Sequence, residues 1–375
     1  MKISTKKNNS GGLYVLGSLY PYVTGGMEIF NYYFLNYRLN KSSDDIYYLG
    51  ENRTDNTNGY FVPIKRRWPI RLIYPIQFFI AVFKLRSYLD YAYLCYAEQS
   101  WIIPYFHSLT LRFFKIPYII TIHWGKEPAW KFRYPFIYYF RHAHAVIGVS
   151  EPICTSFKKV IPDQDFIYIP PIIPFQDATG EKSLLKKNLG YSDKDKILLF
   201  VGSLKPMKNP DKIIEAFRII GQPFLISNDI RLIFAGNGEM ENELRKRVEK
   251  YELGEFIRFV GLVSREIIPV YYKASDFYVI SSDYEGTSLS LMEAMFNKLA
   301  IIASDAPGIN RMLRHEQNAL LYETKNIEQL AETFKRVFTD PSLAITLSER
   351  VYEDYKSQYS YPSMIEKYET LFSAI

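Results

Sequence analysis

Short, continuously apolar segments alternate with helical segments along almost the whole chain, and this alternation limits the folds open to it. In the first half, the strand-like segments are 13–17, 46–49, 91–96, 118–123, 145–149 and 166–169. Helical patterns lie between them, notably at 28–39, 73–86, 101–114 and 131–141. Strands that are apolar throughout and joined by helices predict a parallel sheet covered on both faces.

A proline-rich stretch at 170–174 interrupts this pattern, and a polar segment follows at 176–182. The alternation then resumes, with strand-like segments at 197–201, 230–235, 256–259, 277–280, 300–303 and 319–321. A chain of 375 residues is long enough for two domains. We therefore predict an α/β protein with two doubly wound parallel-sheet domains, 1–174 and 175–360, facing across a cleft. A helix within 361–375 is expected to cross back to the first domain, and ligands are expected at the carboxyl ends of the strands.

Composition and cysteine content favour a cytoplasmic protein. Hydrophobic residues make up 48% of the chain and charged residues 23%, which is typical of a soluble globular protein. The two cysteines, Cys95 and Cys154, are isolated, which argues against a disulfide framework. The first residues lack a signal-peptide pattern, and the apolar run 72–85 is too short to span a bilayer.

The charge is concentrated in the first half of the chain. Residues 1–175 contain 20 Lys and Arg against 11 Asp and Glu. This excess favours an anionic membrane surface or an anionic acceptor as a partner, and no nucleic-acid-binding motif is present. Lys65, Arg66, Arg67 and Arg71 precede the apolar helix at 73–86, a combination that suits an interfacial element. An ordinary sheet-covering helix with basic flanks explains the same pattern equally well.

The segment 277–305 contains the best candidate for a ligand site. It is predicted as a strand (277–280), a loop, a helix from about Ser290 to Asn297, and a second strand (299–303). Glu285 lies on the loop and Glu293 in the first helical turn. The small residues between them would leave free N–H groups and the positive end of the helix dipole exposed to an anion. The alternative is a capping box, in which Glu293 only satisfies the N–H of Ser290.

Four further positions follow predicted strands and could contact a ligand. Gly25 and Gly26 open a helix, where they allow close approach of a phosphate. His123 ends the strand at 118–123 and should face the cleft. Lys208 lies in the loop that also contains Ser203, where it could reach a diphosphate. Gly236 forms a second glycine turn. The alternatives are a plain strand-to-helix turn for Gly25 and Gly26, a structural histidine for His123 and a solvated lysine for Lys208.

Taken together, these motifs resemble the retaining glycosyltransferases of family 4, which have the GT-B fold of two Rossmann-like domains. The resemblance is strongest over 197–323. It comprises the E-x7-E pattern of Glu285 and Glu293, the Gly25-Gly26 turn, His123, the G-x-L-x3-K loop from Gly202 to Lys208, and the A-G-x-G-x turn at Gly236.

The resemblance implies a role for each matching residue. Domain 1–174 would be the acceptor side and domain 175–360 the nucleotide-sugar side. Glu293 would bind ribose hydroxyls, Glu285 the donor sugar, and Lys208 the diphosphate. The residues with catalytic roles would be His123, Glu285 and Lys208. The donor-binding residues would be Gly25, Gly26, Ser203, Lys208, Gly236, Glu285, Gly286, Thr287, Ser288, Leu289 and Glu293.

The chain departs from the family pattern at a few positions. Ser203 stands where the family usually has an arginine, so one diphosphate cation is missing unless Arg265 or Arg311 replaces it. Thr287 replaces a glycine, and the family's N-G-x-D after the strand at 166–169 is absent. These differences bear on which donor is used.

We therefore expect a metal-independent hexosyltransferase without a cofactor. It would move a sugar from a nucleotide diphosphate donor to a glycan or lipid-linked acceptor in cell-surface polysaccharide synthesis. Two rivals remain open. One is an epimerase or phosphorylase on the same fold, and the other is a non-catalytic nucleotide-sugar-binding partner, which the presence of Ser203 would explain.

Overall fold

Parallel strands joined by helices make up two separate α/β units of the chain. A computed structural model describes residues 11–16, 26–42, 44–50, 58–63, 74–96, 102–123, 133–171 and 173–375. The first unit comprises Met1–Pro174 together with Met364–Ile375, and the second comprises Phe175–Ser363. Each helix that the structure describes is too short or too polar to span a bilayer.

The first unit contains a parallel sheet of seven described strands. In chain order they are β1 (Gly11–Val15), β2 (Asp45–Gly50), β3 (Tyr60–Pro63), β4 (Tyr91–Tyr96), β5 (Tyr118–Ile122), β6 (Ala145–Gly148) and β7 (Phe166–Tyr168). Their spatial order is β3-β2-β1-β4-β5-β6-β7, and in the register Leu13 lies between Tyr47 and Ala92. Strands β1, β4 and β5 are buried along their whole length, which explains their unbroken apolar sequences.

Five described helices connect these strands: α1 (Gly26–Lys41), α2 (Tyr74–Leu85), α3 (Ile102–Phe113), α4 (Arg133–Arg141) and α5 (Glu151–Val160). Helix α2 buries one apolar stripe, including Tyr74, Phe78 and Val82, against residues such as Leu13 and Leu94 of the sheet. These buried positions recur at the spacing of one helix face.

The second unit contains a parallel sheet of six strands with helices on both faces. The strands are β8 (Lys196–Val201), β9 (Ile230–Ala235), β10 (Ile257–Gly261), β11 (Phe277–Ile280), β12 (Ala300–Ser304) and β13 (Leu320–Tyr322), in the spatial order β10-β9-β8-β11-β12-β13. The helices are α6 (Lys182–Asn188), α7 (Pro210–Ile220), α8 (Gln222–Ser227), α9 (Glu241–Lys250), α10 (Ile268–Ala274), α11 (Leu289–Phe296), α12 (Ile309–Met312), α13 (Ile327–Thr339) and α14 (Pro341–Asp354).

Alternate residues of β8 enter different cores, as the two faces of a strand require. Leu198 and Phe200 pack in the core that contains α7 and α13. Leu199 packs on the opposite face, in the core that contains α10 and α11. The predicted pair of α/β domains with parallel sheets is confirmed.

The last helix, α15 (Tyr361–Ser373), belongs to the first unit from Met364 onward. The ring of Phe372 lies 6.2 Å from that of Tyr14, between ring centroids. Arg38 of α1 is almost fully buried and bonds Glu369 of α15 at 2.6 Å and Asp44 at 2.7 Å. Losing both carboxylate partners would leave the buried charge of Arg38 uncompensated, and the contact with Glu369 therefore helps to hold α15 against α1.

Candidate active site

The carboxyl edge of the second sheet has a topological switch point between β8 and β11. From β8 the chain builds β9 and β10 on one side, and it then returns to place β11 on the other side of β8. The loops after β8 and β11 therefore diverge from adjacent strands, which is where open α/β sheets form their ligand crevice. Lys208 lies on the first of these loops and Glu285 on the second.

Lys208 and Glu285 form a partly buried ion pair at this point. The Nζ atom of Lys208 donates to Oε1 of Glu285, and the Oγ of Ser282 donates to the same oxygen at 2.6 Å. The side chains of Lys208 and Glu285 are 22% and 11% exposed. Lys208 and Glu285 lie 77 residues apart in the sequence, yet they form one ion pair that is still partly open to solvent.

Polar contacts lock the two loops together around this pair. Asn209 adopts a left-handed conformation, with φ of 47°, and its amide donates to the carbonyl of Ser281 at 3.0 Å and to Asp283 at 2.7 Å. The hydroxyl of Ser281 donates to the carbonyl of Lys208 at 2.6 Å. Asn209, Ser281 and Ser282 were not predicted as site residues. The sequence features that could have indicated them are a polar Ser-Ser pair directly after a buried strand and an Asn before a proline that starts a helix.

Gly308 supports Glu285 from the loop after β12. The backbone N–H of Glu285 donates to the carbonyl of Pro307 at 3.1 Å. Gly308 has φ of 91°, and a Cβ atom there would lie 1.8 Å from the carbonyl oxygen of Glu285. Only glycine fits this close approach. The Ala306-Pro307-Gly308 turn was the available sequence signal.

Glu293 lies in the second turn of α11, and its carboxylate bonds a side chain outside the helix instead of capping the helix N-terminus. Its Oε1 accepts from Nη1 of Arg265 at 2.6 Å. Burial raises the pKa of Glu293, and Arg265 and the hydroxyl of Tyr272 oppose this shift. The capping box would need Ser290 as the N-cap. The N-cap is instead Ser288, whose hydroxyl accepts from the N–H of Leu291 at 3.4 Å. The Ser290–Glu293 capping box is therefore wrong, as is the placement of Glu293 in the first helical turn.

The N-terminus of α11 follows directly after Glu285. Gly286, Thr287 and Ser288 form the approach to the helix, and Leu289 is its first residue. The hydroxyls of Ser288 and Ser290 lie 3.1 Å apart, and the hydroxyl of Tyr278 donates to Ser290 at 2.9 Å. The free N–H groups and dipole of a helix start favour a bound anion.

The glycine turn at Gly236 packs backbone to backbone against the loop that carries Lys208. Gly236 has φ of 144°, and a Cβ atom there would lie 1.9 Å from the carbonyl oxygen of Gly202. A Cβ atom on Gly238 would lie 2.3 Å from the carbonyl oxygen of Leu204, whose N–H donates to Asn237 at 2.9 Å. The two glycines thus shape the loop that contains Ser203 and Lys208.

His123 follows β5 at the carboxyl edge of the first sheet. Its backbone N–H donates to the carbonyl of Tyr96 at 3.0 Å, and its ring centroid lies 5.2 Å from that of Phe30. Its Nε2 atom is inaccessible and has no hydrogen-bond partner among the described residues. Burial lowers the pKa of His123 to about 3. The imidazole is therefore neutral near pH 7.

Some predicted residues lie outside the described part of the chain. They are Gly25, Lys65, Arg66, Arg67 and Arg71. Gly26 begins α1. Within the described ranges, no group of three or more His, Cys, Asp and Glu side chains is placed to hold a metal ion.

The segment that contains Lys208, Glu285 and Glu293 matches a known family. Residues 181–354 match the model described as Glycosyl transferases group 1. The match covers most of the second unit and a little under half of the chain. It relates the second unit to that family.

Curated relatives support the same relationship. An uncharacterized glycosyltransferase of Methanocaldococcus jannaschii is 26% identical over 223 residues, which are 59% of this chain and 56% of that protein. The UDP-Gal:alpha-D-GlcNAc-diphosphoundecaprenol alpha-1,3-galactosyltransferase of Escherichia coli is 31% identical over 171 residues, which are 46% of this chain and 44% of that protein. The chain thus spans about half the length of the curated relatives it matches.

A solved structure extends the comparison to both units. HepE from Anabaena, crystallised in complex with UDP, matches with a TM-score of 0.78 over 97% of this chain and 100% of that chain, at 14% identity. At this identity the likeness establishes the fold alone. Together with the two parallel sheets, it confirms the predicted GT-B fold.

Proposed function

We propose that the protein is a retaining glycosyltransferase that moves a hexose-type sugar from a nucleoside diphosphate sugar to a glycan or lipid-linked acceptor. The observation that carries this proposal is the Lys208–Glu285 ion pair at the switch point of the second sheet, inside the segment that matches group 1 glycosyl transferases. A cation and a carboxylate held together there suit a phosphate beside a sugar.

In this proposal the second unit binds the donor. Glu293 accepts hydrogen bonds from the ribose hydroxyls, and Arg265 holds its carboxylate in position. Glu285 accepts a hydrogen bond from the transferred sugar. Lys208 and the N–H groups at Thr287–Leu289 bind the diphosphate. The ammonium of Lys208 has three N–H donors, so it can contact a phosphate oxygen as well as Glu285.

The reaction breaks the bond between the anomeric carbon and the β-phosphate oxygen and forms a bond from that carbon to an acceptor oxygen. The acceptor proton passes to the departing phosphate on the same face of the sugar, which retains the anomeric configuration. Lys208 and the start of α11 would stabilise the charge that develops on the diphosphate, so no metal is required. His123 would lie beside the acceptor, with its ring neutral near pH 7.

A UDP-hexose is the first donor to consider, because the Anabaena neighbour was crystallised with UDP and the Escherichia coli relative is named for UDP-Gal. The acceptor in that relative's name is a sugar on diphosphoundecaprenol. The basic first half of the chain fits an acceptor of this kind at a membrane. The protein would then work in cell-surface polysaccharide synthesis on the inner membrane face, with Lys65, Arg66, Arg67 and Arg71 near anionic lipid.

A donor panel tests this function. Purified protein is incubated with UDP-, GDP- and ADP-sugars, and nucleotide release is measured with and without membrane extract. Release of one nucleotide that rises with extract supports a transferase and names its donor. Binding without release under any acceptor would instead favour a non-catalytic nucleotide-sugar-binding protein, and Ser203 would then be the residue to replace with arginine.

A further inference from the structure

Helix α2 is apolar on two faces. Its buried stripe packs on the sheet, yet Ile76, Phe79, Ile80 and Phe83 are all at least 40% exposed. These four positions follow the i, i+3, i+4, i+7 spacing of a second helix face. A sheet-covering helix needs only one such stripe, and an apolar stripe that faces away from the core indicates a further contact surface.

Helix α3 extends this exposed surface. Phe106 and Phe113 lie two turns apart on α3, and they are 43% and 73% exposed. The ring of Phe79 lies 6.1 Å from that of Phe113, so the exposed stripes of the two helices are continuous. We call the six residues Ile76, Phe79, Ile80, Phe83, Phe106 and Phe113 the apolar ridge. They are six of the fifteen large exposed hydrophobic residues in the described part of the chain, and they include every exposed phenylalanine there.

In the described segments 74–89 and 102–118, which carry the apolar ridge, the charged residues are all cations. Lys84, Arg86, Arg112 and Lys115 are exposed beside it. The guanidinium of Arg86 lies 4.1 Å from the centre of the Phe83 ring. Segments 74–89 and 102–118 contain no Asp or Glu.

From this arrangement we propose that the apolar ridge is a membrane-docking surface that inserts into the headgroup region of an anionic bilayer. Aromatic and aliphatic side chains enter the interface, and the surrounding cations contact lipid phosphates. A second copy of this chain fits less well, because a symmetric pairing through the ridge would bring two positively charged surfaces together, and segments 74–89 and 102–118 offer no carboxylate to pair with the cations. The proposal deepens the proposed function, because it locates the surface at which a lipid-linked acceptor would be reached.

The test measures sedimentation of the full chain with vesicles of phosphatidylglycerol and phosphatidylcholine, without donor or acceptor. The wild type should bind these vesicles, bind pure phosphatidylcholine much more weakly, and release in about 0.5 M salt. Phe83→Ser with Phe113→Ser should lower the partition coefficient about tenfold or more, because two exposed aromatic anchors are lost. Lys84→Gln with Arg112→Gln should lower it by about tenfold as well.

The matched control is Leu184→Ser with Ile345→Ser, two similarly exposed hydrophobic residues of the second unit. It should bind vesicles like the wild type. Circular dichroism and urea unfolding confirm that each variant is folded. Vesicle binding that is equal in Phe83→Ser/Phe113→Ser and the wild type would overturn the proposal. So would a wild-type dimer in sedimentation velocity that this double variant abolishes. The assay involves no transfer reaction, so failure of the proposed activity would leave its result intact.

Discussion

Replacing Lys208 with methionine should destabilise the second unit by leaving the carboxylate of Glu285 without its cation. The Glu285 side chain is 11% exposed, and Ser282 supplies its other described hydrogen bond. Breaking a buried ion pair from one side costs about 3–5 kcal/mol. Lys208 is 22% exposed, so water can partly solvate the remaining carboxylate. We therefore expect the free energy of unfolding to fall by about 2 kcal/mol, which is a loss of roughly 4–8 °C in Tm for a unit of this size.

A double-mutant cycle separates this effect from a general loss of packing. Urea unfolding is measured for the wild type, Lys208→Met, Glu285→Gln and the double variant. Because the double variant has no uncompensated charge, it should recover about 1–2 kcal/mol relative to the sum of the single changes. Additive losses would show that the pair does not act as a unit.

The same substitution tests the proposed role of Lys208 in turnover. At saturating donor, Lys208→Met should lower kcat about 100-fold or more, because a cation on the departing diphosphate is lost. Lys205→Met is the matched control, since Lys205 is an exposed lysine of the same loop. Equal stability and turnover of Lys208→Met and Lys205→Met would refute both proposed roles of Lys208.

Three further predictions concern other parts of the site. Because burial lowers the pKa of His123 to about 3, the unfolded chain takes up a proton below about pH 6 that folded His123 does not. As the pH falls from about 6 to 4, the wild type should therefore lose about 1 kcal/mol of unfolding free energy per pH unit more than His123→Gln does. The same pH dependence for both proteins in urea unfolding would contradict the burial of His123. Gly308→Ala should lower the free energy of unfolding by about 2 kcal/mol or more, because the added Cβ would meet the carbonyl oxygen of Glu285. Gly254→Ala is the control and should cost less than about 0.5 kcal/mol, since nothing lies within 4 Å of a Cβ there. Equal thermal stability of the two variants would contradict the proposed contact between Gly308 and Glu285. Chelator should leave transfer unchanged in a nucleotide-release assay, since Lys208 and the α11 N-terminus are proposed to replace a metal; a strict divalent-metal requirement would contradict that chemistry.

The sequence predicted the central strands well, because these strands are buried on both faces and read as unbroken apolar runs. The strand at 277–280 has the predicted limits. Strand β3, Tyr60–Pro63, was not predicted, because it is a short edge strand with no buried residue. Helix α11 begins earlier than predicted, since Ser288 and not Ser290 caps it.

The carboxylates of the candidate site could be found from their spacing, but their partners could not. Arg265 lies 28 residues before Glu293 and meets it only because α10 and α11 pack on the same face of the sheet. Gly308 is required by a contact with Glu285 that is visible only in three dimensions. Local sequence patterns identify groups with suitable chemistry, whereas the fold decides which of them share a hydrogen bond.

The most direct test of the proposed donor site is isothermal titration of the preferred nucleotide sugar into the wild type, Glu293→Gln and Glu316→Gln. Glu316 is an exposed carboxylate of the same unit, paired with Arg336, and its loss should not change the affinity. Glu293→Gln should weaken binding about 10- to 100-fold, because charge-assisted hydrogen bonds to the ribose would be lost. An affinity for Glu293→Gln equal to that of the wild type would contradict the proposed donor site.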